Sequence, residues 1–236
     1  MNPYSAYGGW LYYWDPTYLL LIAGLIISII AQAGVSSTYR KYSGIRTLRG
    51  VSSVDAARTI LANNGIYDVN IEASRGALSD HFDPKNMVIR LANDPSVMDS
   101  VAAVAVAAHE CGHAIQHAEG YFPLRLRSAL VPVVNIASNL AFPLLLFGWI
   151  LGYALIAEIA CVIFGVVVVF QVVTLPVEFN ASARALKNLS NGMLMSEEEL
   201  RGAKKVLRAA AFTYLAATLV SLFQFLRFFV MSRRRR

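Results

Sequence analysis

Charge is scarce in this sequence. Asp, Glu, Lys and Arg make up 15% of 236 residues while apolar types reach 56%, against about a quarter charged in an ordinary soluble domain. With a mean hydropathy of +0.50, that balance excludes a simple water-soluble globule and calls for several membrane spans. Cysteine is scarcer still. Cys111 lies in a polar-motif helix and Cys161 in an apolar run, which excludes a disulfide framework; each reads as a small buried residue. No Lys or Arg precedes Arg40, so the first apolar run lacks the basic flank of a signal peptide. The net charge of +6 would suit nucleic acid, but no stretch interleaves aromatic and basic residues as such a surface needs. No nucleic-acid partner is expected; in a membrane chain, clustered Lys and Arg set topology or meet anionic lipid. Internal repeats and low-complexity linkers are also absent.

Histidine is rare too, which makes its placement informative. Of the 4 histidines, three fall in Ala107-Ala108-His109-Glu110-Cys111-Gly112-His113-Ala114-Ile115-Gln116-His117. Residues four apart on a helix share a face one turn apart. His109 and His113 can therefore aim two imidazoles at one metal ion, with Glu110 beside them to hold a water without being a ligand. His117 lies about 12 Å along the axis from His109, too far to share a tetrahedral zinc. Asp94-Pro95 predicts the start of this helix, Gly120 its left-handed cap, and Pro123 a block to continuation.

Taken in order, residues 1–35 hold an aromatic, interface-like segment and a first transmembrane helix. Residues 36–127 form the only long polar region, a catalytic α+β region with the zinc helix. There Ser52 to Asp55 signal a helix start, and period-two alternation at Val69 and Ile71 and again at Met87, Ile89 and Leu91 predicts short strands joined through 80–84. A substrate segment is expected to lie along an edge strand at Met87 to Leu91. Residues 128–175 read as a transmembrane hairpin, with Pro132, Pro143 and Pro176 expected to kink or end its helices. Residues 176–208 carry the third metal ligand, and Ser196 with Glu199 has capping-box spacing. Residues 209–236 hold the last transmembrane helix and a basic tail. The fold class expected is a mainly α membrane protein of about four transmembrane helices with a small α+β zincin-like catalytic domain.

Zinc needs a third protein ligand, with the fourth position left for water. The hairpin returns the chain to the side of the motif helix, and Glu178 is the first carboxylate to emerge there. Glu158 lies toward the far end of the hairpin, and Glu197 to Glu199 read as a solvated helix start. Glu178 is selected over a metal-free helix-terminal role.

These residues carry a family likeness. Leu78 to Pro84, Ala107 to His117 and Pro176 to Ser182, with the N-terminal span, resemble the YugP-like family of bacterial membrane zinc metallopeptidases. The chain is more distantly similar to the HtpX and CAAX-prenyl protease group of membrane gluzincins. That resemblance implies a Zn2+-dependent endopeptidase fold and Glu178 as a ligand. Ser182 stands where the HtpX-like group has an aspartate. The reaction expected is peptide hydrolysis with Glu110 as general base, acting on a peptide or protein substrate associated with the bilayer. His81 and Arg184 are candidates for substrate or transition-state contacts.

Lys and Arg number 10 between Arg40 and Arg127 and 6 between Arg184 and Arg208, with none in the amino terminus or the 151–153 turn. The positive-inside rule then expects a multi-pass protein of the bacterial inner membrane with its zinc site facing the cytoplasm. Four spans place Arg233 to Arg236 on the other side, against that rule. Two rival readings are an inactive membrane scaffold and a transporter lined by Glu158 and Gln171; the intact Glu110 speaks against the first.

Overall fold

Apolar runs of membrane-spanning length become helices throughout. The computed structural model describes residues 15, 17–74, 79–92 and 94–233. Its elements are α1 (Tyr18–Ser43), α2 (Ser53–Asn63), β1 (Asn70–Ser74), β2 (His81–Asp83), β3 (Val88–Ala92), α3 (Val101–Ala118), α4 (Phe122–Leu151), α5 (Ala154–Asn191) and α6 (Glu197–Arg233). Among the described residues, α1, α4, α5 and α6 are the 4 helices long and apolar enough to cross a membrane. The protein is a mainly α membrane protein with a small α+β domain. The aromatic segment before residue 17, apart from Asp15, and the tail 234–236 lie outside the described residues.

The chain divides into two compact units. One draws on 1–30, 131–171 and 216–236. Its small core joins Leu145, Ala157, Ala160, Cys161 and Phe228, with Phe164 edge-on to Phe228 at 5.1 Å. Gly152, at φ 74°, makes the turn between α4 and α5, a conformation that costs glycine little.

The other unit, 31–130 and 172–215, holds the polar region. Here α3 is the central element, buried along most of its length. Its Ala-rich first half packs with Ala56, Ala57, Ile60 and Leu61 of α2 in one core that also takes Ile89 and Leu91 of β3. Ser52 caps α2 by accepting from Asp55 N at 3.1 Å, and Ser196 and Glu199 form a reciprocal box at the start of α6, both as their spacing predicts.

Three sequence expectations change. The motif helix begins at Val101, not Pro95, and Ser100 is its cap. Asp94 instead closes a local turn onto Ser96 N at 2.9 Å. The following backbone is drawn onto 45–53: Ser53 N donates to Met98 O, Thr47 N to Asp99 O and Val101 N to Ile45 O. These tertiary hydrogen bonds outweigh the local helix signal. Pro123 lies beyond the end of α3 at Ala118, as expected, and also falls in the first turn of α4, where its missing N–H costs nothing.

The second change concerns the sheet. The 80–84 connector contains a strand, β2, and the order is β1-β3-β2. Strand β3 pairs parallel with β1 and antiparallel with β2, so Met87 to Leu91 is central and is not the expected edge. Its near-continuous burial fits that position. Finally, Pro176 neither ends nor starts a helix; α5 runs through it to Asn191. Long apolar helices tolerate an internal proline when neighbours hold the flanking turns, and Val177, Ala181 and Ala185 just beyond it are almost fully buried.

Candidate metal centre

Two helix faces build the site. On α3, His109, Gly112, His113 and Gln116 follow 3.6-residue spacing; on α5, Glu178, Ala181, Ser182 and Ala185 do the same. The faces meet at Gly112. A Cβ built there would lie 2.5 Å from Ala181 O, so only glycine lets the backbones approach this closely. Glu178, one turn before that contact on α5, is thereby brought to the two histidines.

His109 Nε2 lies 3.2 Å and His113 Nε2 3.6 Å from Glu178 Oε2. One ligand atom from each of the three falls within 4.8 Å of the others. The imidazoles stand edge to face with centroids 4.7 Å apart, and the Glu178 side chain is 2% exposed. This cluster can hold a metal ion. His117 is not part of it; its ring packs edge-on against Phe82 at 5.8 Å.

The far sides of both imidazoles are held. Ser182 Oγ is 3.2 Å from His109 Nδ1. His113 Nδ1 lies 3.0 Å from Gln116 Oε1. Gln116 Nε2 donates to Val177 O and Asn180 Oδ1, both at 2.9 Å, which leaves Gln116 Oε1 to accept from His113 Nδ1–H. His113 Nε2 then carries its lone pair toward the cluster. The chain continues from Asn180 Oδ1 to Arg184 Nε at 2.7 Å and from Arg184 Nη2 to Glu119 Oε2 at 2.6 Å.

Glu110 points to the other wall. Its Oε2 accepts from Phe82 N of β2 at 2.9 Å. Burial raises its pKa, opposed by the two histidines and the Phe82 N–H and reinforced by Glu178, with a net upward shift. For His113, burial pulls downward, but the Glu178 hydrogen bond, the Glu110 and Glu178 charges and Gln116 outweigh it, and the net shift is upward. Cys111 faces α2, its Sγ 3.7 Å from Ala57 O. Burial pushes its thiol up, which makes it an inert core residue.

A cavity of about 370 Å³ opens over the cluster, lined by Asp80, His81, Phe82 and Pro84 on the β2 side and by Leu124, Arg127, Leu207 and Tyr214 on the other. His81 thus reaches the cavity, with Nδ1 2.8 Å from Ser79 O and Nε2 3.3 Å from Arg90. Arg184 does not; it lines a separate cavity with Glu119 and Asn188. Sequence reasoning missed Arg127 and Tyr214. Arg127 Nη1 stands 3.7 Å from Glu178 Oε1, and the Tyr214 hydroxyl hydrogen-bonds the same carboxylate. Neither has a fixed spacing to the motif. Gln116 did have one, three residues after His113 on the same face.

Comparison with known proteins agrees with this chemistry. The chain is 47% identical over 210 residues to "Putative membrane protease YugP" of Bacillus subtilis (strain 168), covering 89% of this chain and 93% of that protein. No solved structure matches it significantly. A family model described as "Putative neutral zinc metallopeptidase" matches residues 17–233, and the chain belongs to that family of zinc peptidases.

Proposed function

We propose that this protein is a membrane-embedded zinc endopeptidase hydrolysing membrane or membrane-proximal proteins, with His109, His113 and Glu178 as ligands and Glu110 as general base. The observation that carries the reading is the convergence of two imidazoles and a buried carboxylate beside a second carboxylate that does not join them. The donor set fits zinc: two neutral nitrogens and one oxygen, the imidazoles held from behind, with room in the cavity for a further ligand. When bound, zinc polarises a water and the scissile carbonyl. Glu110 accepts the proton of the attacking water and passes it to the leaving amine. Arg127 and Tyr214, the cationic and hydroxyl donors beside Glu178, are placed to meet negative charge growing on the carbonyl oxygen, a task for which Arg184 stands in the wrong cavity.

The substrate strand belongs beside β2 rather than β3. Strand β2 is an edge, and its Phe82 N–H already reaches Glu110. An extended peptide added there would run past the general base.

Chelation tests the reading. Purified protein in detergent should lose cleavage of a membrane-protein substrate on treatment with a zinc chelator and regain it when zinc is added. Full activity after complete zinc removal would overturn it.

Sidedness follows from the Lys and Arg distribution, which favours a cytoplasmic site in a bacterial inner membrane. Both native cysteines are buried and should stay silent. Cysteines placed at the exposed positions Ala62 and Ser190 should resist an impermeant thiol reagent in intact cells. One at Tyr153, 61% exposed in the α4–α5 turn, should react. The reverse pattern would invert the topology.

A further inference from the structure

A separate cavity of about 530 Å³ lies where α1 ends, lined by Lys41 and Tyr42, by Ile45, Arg46 and Leu48, and by the first turns of α6. Its lining carries Lys41, Arg46, Arg201 and Lys205 against Glu198 and Glu199. Glu199 is committed to backbone: Oε1 accepts from Leu48 N and Oε2 from Ser196 N, each at 2.6 Å. Arg46 is paired with Asp99. Among the described residues, Lys41, Arg201 and Lys205 make no ion pair, and all three are exposed.

Arg201 and Lys205 share a face of α6 by their i, i+4 spacing, so their like charges repel unless an anion joins them. Gly202, on the buried flank of that face, would place a Cβ 2.7 Å from the Tyr42 ring; the glycine lets Tyr42 form the floor. Lys41 occupies the last turn of α1, at the end of a candidate membrane span. Leu48, tethered through its N–H to Glu199, projects 81% exposed, and Ile45 is 42% exposed beside it. Cations and protruding apolar side chains together at the end of a membrane helix match a phospholipid, with phosphate for the first and the glycerol and acyl region for the second.

We propose that this cavity binds the phosphate headgroup of an anionic phospholipid from the adjoining leaflet. Native mass spectrometry of detergent-solubilised protein mixed with equimolar phosphatidylglycerol and phosphatidylcholine tests it. Wild type should retain phosphatidylglycerol in clear preference. Each surface cation contributes about five-fold to such binding, so combined Lys41→Gln, Arg201→Gln and Lys205→Gln should lower retention by about ten-fold or more after screening, with zinc content unchanged. Arg58→Gln with Lys85→Gln, exposed cations elsewhere, should keep the preference. Equal retention of both lipids by wild type, which needs no variant to fold, would overturn the proposal. So would undiminished preference in the triple variant. Displacement of the lipid by millimolar inorganic phosphate would assign the cavity to free phosphate instead.

Discussion

Glu110→Gln should leave zinc content and fold unchanged while lowering peptide hydrolysis by about 10²–10⁴-fold, the usual worth of general-base assistance. Glutamine keeps the size of the side chain and its carbonyl oxygen can still accept from Phe82 N, the hydrogen bond that holds Glu110 against β2. It cannot take up a proton. The substitution therefore separates holding a water from activating it. Zinc content is the control, because Glu110 lies outside the His109, His113 and Glu178 cluster. Wild-type cleavage by the glutamine variant would overturn the assignment of Glu110 as general base. The wild-type pH profile should fall on its acid side, where Glu110 and His113, both shifted upward, take up protons and lose their roles as base and ligand.

The second large effect is expected at a residue with no side chain to titrate, Gly112, beside His113 on the motif helix. Gly112→Ala adds one methyl, and that methyl would sit 2.5 Å from Ala181 O and 3.1 Å from its Cα. Both atoms are helix backbone, so no side chain can rotate away. Overpacking by a methylene commonly costs about 1–3 kcal/mol, and this contact belongs at the upper end or beyond because α5 itself must move. Glu178 moves with it, being one turn from Ala181 on the same helix. The variant should unfold at lower denaturant and bind zinc at least about ten-fold more weakly, the scale seen when support of a ligand is lost. Denaturant unfolding and zinc titration check the two parts separately. Wild-type behaviour in both would mean that α3 and α5 do not approach at Gly112.

This pair of residues marks what was legible in the sequence. The role proposed for Glu110 follows from spacing within one helix. The part of Gly112 does not, since its partner Ala181 is distant in the chain and nothing local announces a backbone contact. The same division runs through the fold. Helix α2 and the box opening α6 are written in residues three apart, and the spans in composition. The start of α3 moved because the 96–101 backbone is hydrogen-bonded to 45–53. Strand β3 was recognisable by alternation, but its central position depends on β2, three residues long and too short to show a period. Glu178 was reached by counting spans. The mid-helix setting that presents it was hidden by Pro176, whose usual effect is to break a helix. Ser182 and Gln116 back the two imidazoles of the proposed ligand set. Arg127 and Tyr214, on α4 and α6, join the cavity only through packing.

The central claim is the ligand set, and zinc stoichiometry in three purified proteins tests it most directly. Wild type should carry about one zinc per chain, and X-ray absorption at the zinc edge should report two imidazole nitrogens with oxygen in the remaining positions. Glu178→Ala should drop well below that occupancy, and His117→Ala should match wild type. Normal zinc in Glu178→Ala together with loss of zinc in His117→Ala would contradict the account.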